Sequence, residues 1–200
     1  MYRAVSKDGS NQPFIVKIYE DMHTVMDAFQ SPSHKAKQDH AALIGLKNFL
    51  AKSSIFSVVN TIRREGNLLY LEDTQGESVQ IVSENESSPG EGDKVYLAYT
   101  DKIFMLERYI RKQKPERAKV VEVTDTKNDF GTSNDFISFY VTGADGVQHF
   151  YSIHAGQIIV TPKTGNMTIV DWVQSGFYRP SSSTFKGLPG LSHSPFGCYH

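Results

Sequence analysis

Two hundred residues with 21 Lys+Arg against 22 Asp+Glu, a formal net charge of −1, exclude a chain that binds anions over its whole surface, so any such surface must be local. A hydrophobic fraction of 39% with 12% aromatic residues leaves large rings to supply much of the core, in a chain long enough to fold without staples. The single cysteine, Cys198, rules out an intramolecular disulfide and fits a reducing compartment.

The opening residues, MYRAVSKDGSNQPF, carry charges and turn formers where a signal peptide needs an apolar run. No window approaches the roughly 18 consecutive apolar residues of a membrane span. The expectation is a cytoplasmic, soluble protein with no membrane partner.

In chain order, residues 1–20 read as a hairpin: Tyr2 to Val5, the turn formers Asp8 to Asn11, then the β-branched and aromatic run Phe14 to Tyr19. In EDMHTVMDAFQ, Met22, Val25, Met26 and Phe29 recur at helical spacing, and Ser31-Pro32-Ser33 is expected to break that helix. A second helix follows, with Ala42, Leu43, Leu46, Phe49 and Leu50 on one face. After residue 54 the period falls to two. SIFSVVNTIRR, NLLYLED and ESVQIVS are expected strands, with Asp73 to Gly76 as a tight turn. A polar loop spans 83–93, and Lys94 to Tyr99 and Lys102 to Leu106 read as two further strands parted by Thr100-Asp101.

RYIRKQKPERAK is the most basic stretch, holding Arg108, Arg111, Lys112, Lys114, Arg117 and Lys119 against Glu116 alone, and Pro115 argues against one continuous helix through it. The β pattern resumes with KVVEVTD, a loop, the hairpin NDFISFYVTGADGVQHFYSIHAG, then QIIVT and MTIVDWV. Residues 179–200 have no period of either kind. Their prolines, glycines and serines separate isolated apolar anchors, which suits a segment that is disordered or extended along another surface.

Two blocks look alike. VVNTI and VVEVT each begin one, Tyr70 and Tyr140 share an offset, and so do Gly76 and Gly146. The expected fold is therefore α+β and mostly antiparallel β, with one or two small SH3- or OB-like barrel modules preceded by a hairpin and two helices. The divisions are 1–54 (hairpin plus helices), 55–107 (first β module), 108–119 (basic connector), 120–178 (second β module) and 179–200 (arm).

Catalytic patterns are absent. GADG and GEGD lack the context of a phosphate loop, and there is no nucleophile elbow or H-E-x-x-H. His193, Cys198 and His200 fall short of the four ligands a structural zinc wants. The seven histidines can be drawn beside acids, as His149 with Asp145 or His23 with Asp21, but loop acids such as Asp129, Asp135 and Asp145 serve turns. The expectation is a non-enzyme with no cofactor and no metal.

What remains is the hairpin at 134–156. By alternation Ile137, Phe139 and Val141 share the core face of its first strand, and Phe136, Ser138 and Tyr140 the other. On the return, Val147, His149, Tyr151 and Ile153 lie opposite Gln148, Phe150, Ser152 and His154. Rings on an exposed strand face can stack bases, at about 1–3 kcal/mol each. Phe136, Tyr140, His149 and Tyr151 are therefore the candidate platform, although NDFISFYV lacks the basic residue and glycine of an RNP1 motif. The basic stretch 108–119, extended by Arg63 and Arg64, would meet phosphates. The expected function is binding of single-stranded RNA or DNA. If the helices, the other module or the arm cover the sheet on both sides, these rings are architecture instead. The competing expectation for function is a structural or assembly protein that docks on protein subunits through its C-terminal arm and its aromatic sheet face, with partner docking or self-association through 180–200.

Overall fold

The computed structural model describes residues 2–5, 12–20, 31–84, 89–124, 136–143, 146–161 and 164–171. Outside them lie the helix expected over 21–30, the loop acids Asp129, Asp135 and Asp145, Cys198 and the C-terminal arm.

The N-terminal hairpin forms as the alternation predicts, β1 (Tyr2–Val5) antiparallel to β2 (Pro13–Ile18). Two later strands, β4 (Thr61–Glu65) and β5 (Leu68–Glu72), complete a four-stranded sheet in the order β1-β2-β5-β4. Across it α1 (Pro32–Leu50) lays Ala42, Leu43, Leu46, Phe49 and Leu50 into the core. Ser31-Pro32, expected to break a helix, starts this one. Ser31 Oγ accepts from the His34 N–H at 3.3 Å, and Pro32 occupies a position whose missing N–H costs nothing.

A second sheet joins distant segments in the order β3 (Ser57–Val58), β11 (Met167–Ile169), β10 (Ile158–Val160) and β6 (Glu77–Ser78). Its β3–β11 pair is parallel, while the other strand pairs in the described residues are antiparallel. The third sheet is a meander of β7 (Ala118–Thr124), β8 (Phe136–Thr142) and β9 (Gln148–His154). The chain is thus mixed α and β with mostly antiparallel sheets, and among the described residues no sheet closes into a barrel.

Three sequence expectations are corrected. ESVQIVS is a two-residue strand followed by a short helix, α2 (Val79–Ser83), because Ser78 caps it by accepting from the Ile81 N–H at 3.2 Å. Residues 94–106 are not two strands but the middle of α3 (Pro89–Arg111). Tyr99, Ile103, Leu106 and Ile110 recur every three or four residues and are at most 2% exposed. Thr100, read as half of a turn, fits the helix by donating from Oγ1 to the Tyr96 carbonyl at 3.1 Å. The apparent repeat also fails at its third part: β5 pairs with β2 and β4, and the segment after Gly76 pairs with β10.

One core runs through both expected β modules. Leu69 and Leu71 of the first sheet, Ile158 and Ile169 of the second, and Ile137, Phe139 and Ile153 of the third belong to a single buried cluster with α1 and α3. Each fully buried side chain of this size contributes about 1.5–3 kcal/mol. Two glycines mark its tight places. At Gly45 a Cβ would sit 3.3 Å from Tyr151 Oη, so the glycine lets the sheet approach α1. Gly76 has φ +135°, and a Cβ there would lie 2.2 Å from the Val160 carbonyl oxygen. No helix among the described residues is long and apolar enough to cross a membrane.

Candidate nucleic-acid interface

The basic stretch is not a single element. Arg108 and Arg111 end α3, where their charge complements the helix dipole; Lys112, Lys114 and Arg117 follow in a turn closed by the Arg117 N–H on the Lys114 carbonyl at 2.8 Å; Lys119 is on β7. All six are exposed. Arg111 is tied along the helix to Glu107 at 2.8 Å, and the Arg117 guanidinium stands 6.0 Å from the centre of the Phe49 ring.

Strand register then decides which rings these cations meet. Lys119 pairs with Tyr140, and Tyr140 with Phe150, so the three form a row across one face of the meander. The rings of Tyr140 and Phe150 are 5.1 Å apart and tilted by 55°. Tyr140 is half-buried, whereas Phe150 and Ser138 on the same face are buried, Ser138 Oγ donating to Ser152 Oγ at 3.1 Å. This face is covered over much of its middle, and Tyr140 marks its accessible side next to the basic run.

Two expected stacking residues are misplaced. Val141 pairs with His149 and Phe139 with Tyr151, which puts the later pair on the core face. His149 is 3% exposed and Tyr151 0%. Tyr151 stacks on Phe139 at 5.3 Å and donates its hydroxyl to the Ala42 carbonyl at 2.7 Å. Neither ring can receive a base. Phe136 pairs with His154 through the backbone, and its side chain lies outside the described set.

Arg63 and Arg64 sit on β4, in a different sheet from Tyr140, and face opposite ways. Arg64 pairs across the strands with buried Leu69 and donates to the Gly66 carbonyl at 3.1 Å. Arg63 pairs with Tyr70 and lays its guanidinium 4.3 Å from that ring's centre, while Phe14 lies 5.9 Å from Tyr70 on the other side. Phe14 and Tyr70 are both half-buried. Neither was singled out from sequence as a binding ring, although alternation along β2 already sets Phe14, Val16 and Ile18 against Ile15, Lys17 and Tyr19.

The most concentrated charge cluster is elsewhere. Lys17 on β2 donates to Asp39 of α1 at 2.9 Å and to Asp171, just past β11, at 3.0 Å. The Tyr19 hydroxyl donates to the same Asp39 oxygen. Burial alone would lower the Lys17 pKa, but the two carboxylates outweigh it and hold the ammonium above its ordinary value. Burial, and then the Asp39 carboxylate, push the Tyr19 phenol upward, so it stays a donor. This cluster ties two sheets to α1. Nearby, burial lowers the His154 pKa against the opposing pull of Asp171, and burial followed by Arg64 lowers that of His40.

The described surface therefore presents a run of exposed cations ending beside one half-exposed ring, and an arginine seated on a second ring. In comparisons with known proteins, no family model, no curated protein and no solved structure matches this chain.

Proposed function

We propose that this chain is a non-enzymatic nucleic-acid-binding protein whose ligand is single-stranded RNA or DNA. The observation that carries the reading is the cross-strand pairing of Lys119 with Tyr140, which brings the end of the basic run to a half-exposed ring. Arg108, Arg111, Lys112, Lys114, Arg117 and Lys119 would hold successive phosphates while a base stacks on Tyr140. Arg63 with Tyr70 and Phe14 forms a second contact of the same type on the first sheet. Single strands are favoured over duplexes because a base must leave its stack to lie on a ring.

A cytoplasmic location belongs to the same proposal. So does a likeness of its β-rich parts to small SH3- or OB-type modules. Titrating fluorescent single-stranded oligonucleotides with the protein over a range of salt concentrations tests the reading. Affinity should fall steeply and log-linearly with salt. Absent binding, or binding indifferent to salt, would remove it.

A further inference from the structure

Arg63 has different surroundings from the cations of the basic run. Along β5, Leu69 and Leu71 are buried in the core, so alternation turns Leu68, Tyr70 and Glu72 to the opposite face of the first sheet. Register sets Arg63 across from Tyr70, Glu65 across from Leu68, and Glu72 across from Phe14 on that outer face. The Glu65 carboxylate engages both partners of the arginine–ring contact. Its Oε1 lies 3.4 Å from Arg63 Nε, and its Oε2 accepts from the Tyr70 hydroxyl at 3.3 Å. The guanidinium carbon is 4.3 Å from the centre of the Tyr70 ring. Ring, guanidinium and carboxylate thus hold one another in place, yet the Arg63 side chain is still 57% exposed. The side of the guanidinium away from Tyr70 is open to a ligand.

We propose that Arg63 is a base-stacking residue, whose guanidinium, carried on Tyr70 and held by Glu65, receives one base of the bound single strand and not a phosphate. The inference rests on the nucleic-acid reading above and deepens it, by giving the contact on the first sheet its chemistry. Electrostatics decide against a phosphate. An anion drawn to Arg63 meets the Glu65 carboxylate beside it, and Glu72 adds a second exposed carboxylate to the same face, so the attraction largely cancels. A neutral base meets no such opposition. A guanidinium is planar and weakly hydrated, and unstacked bases lie on such planes as they do on aromatic rings. Pairing with a carboxylate through Nε leaves that plane intact. The basic run, with six cations against Glu116 alone, keeps the net charge that phosphates need. The strand is therefore held by its phosphates along 108–119 and by a base at Arg63, with Glu65 as the residue that positions the guanidinium and masks its charge.

Anisotropy titrations of the full chain with two labelled probes provide the test: a single-stranded oligonucleotide, and an abasic phosphodiester strand of the same length. Arg63→Lys keeps the charge and removes the plane. It should weaken oligonucleotide binding by about fivefold or more, the low end for one stacked base. It should leave the slope of log affinity against log salt unchanged and bind the abasic strand as the parent does. Glu65→Gln unmasks the guanidinium and should steepen that slope by about 0.7, the increment of one added phosphate contact. A merely structural Glu65 would not move the slope. Circular dichroism checks that the variants fold, as substitutions at these exposed positions should. Arg63→Lys binding the oligonucleotide as the parent does, with the parent's steep salt dependence intact, would overturn this inference and leave the role of 108–119 standing. A slope made shallower by about 0.7 in Arg63→Ala would overturn it too, by making Arg63 a phosphate contact. A parent that binds neither probe would remove both readings.

Discussion

Lys119 on β7 stands directly across the strand pair from Tyr140 on β8. This pairing turns the end of a basic run and a ring 21 positions further along the chain into neighbours on one sheet face. A side chain that is long, cationic and exposed lies beside one that is flat and half-exposed. Phosphate and base are recognised by those two kinds of group.

The ring is expected to contribute affinity without contributing much stability. Tyr140→Ala should weaken binding of a single-stranded oligonucleotide by about 1–3 kcal/mol, the range for one stacked base. Tyr140→Phe should bind almost as the parent does, because stacking needs the ring and not the hydroxyl. Anisotropy titrations of the three proteins at one salt concentration make the comparison, with thermal melts run alongside.

Charge substitution should act differently. Lys112→Gln with Lys114→Gln removes two exposed cations that lie in a turn outside the core. Each lost phosphate contact should reduce the slope of log affinity against log salt by about 0.7 for a single strand. The slope, rather than the affinity at a single salt concentration, is the quantity to compare.

Tyr151 should show the reverse pattern to Tyr140. Its hydroxyl is buried and bonded to the Ala42 carbonyl, so Tyr151→Phe should cost about 1 kcal/mol of stability. In a chain of this size that corresponds to a fall in Tm of about 2–4 °C. Oligonucleotide affinity should not change. A substantial loss of binding in a stably folded Tyr151→Phe protein would contradict the assignment of this ring to the core.

The contrast between these two tyrosines shows what the sequence made legible. Alternation correctly grouped His149 and Tyr151 on one face of their strand, but a grouping does not say which face is the core. That depends on register against β8, where Phe139 and Val141 are the partners. The β1–β2 and β8–β9 hairpins were readable because their signal is local, whereas the one expected around Asp73 to Gly76 did not form. α3 was misread because Thr100-Asp101 looked like a turn between two apolar runs, and only the longer spacing from Tyr99 to Ile110 shows one helix. The Lys17–Asp171 contact had no sequence signal, since the two residues are 154 positions apart and meet only after β11 has joined its sheet.

Stability should fall at both ends of the pH scale for identifiable reasons. Lys17 and Tyr19 have pKa values raised in the fold, so their contribution is complete below the unfolded values of 10.5 and 10.0. It is lost as pH rises above that range and through the folded values. His154 and His40 are lowered from 6.5, so their contribution is complete above that pH and is lost as pH falls through the folded values. His154 Nδ1 accepts the Gly156 N–H at 3.2 Å, a bond that a proton on that nitrogen would break. Chemical denaturation from pH 5 to 11 should show both losses, with Asp39→Asn reducing the alkaline one and His154→Asn the acidic one.

The most direct test of the central claim is zero-length photocross-linking of a single-stranded oligonucleotide to the full chain, with the attached peptides mapped by mass spectrometry. The account predicts adducts at Tyr140 and within residues 108–119, lost together as salt is raised. Adducts confined to other surfaces, with Tyr140 and the basic run unmodified, would contradict it.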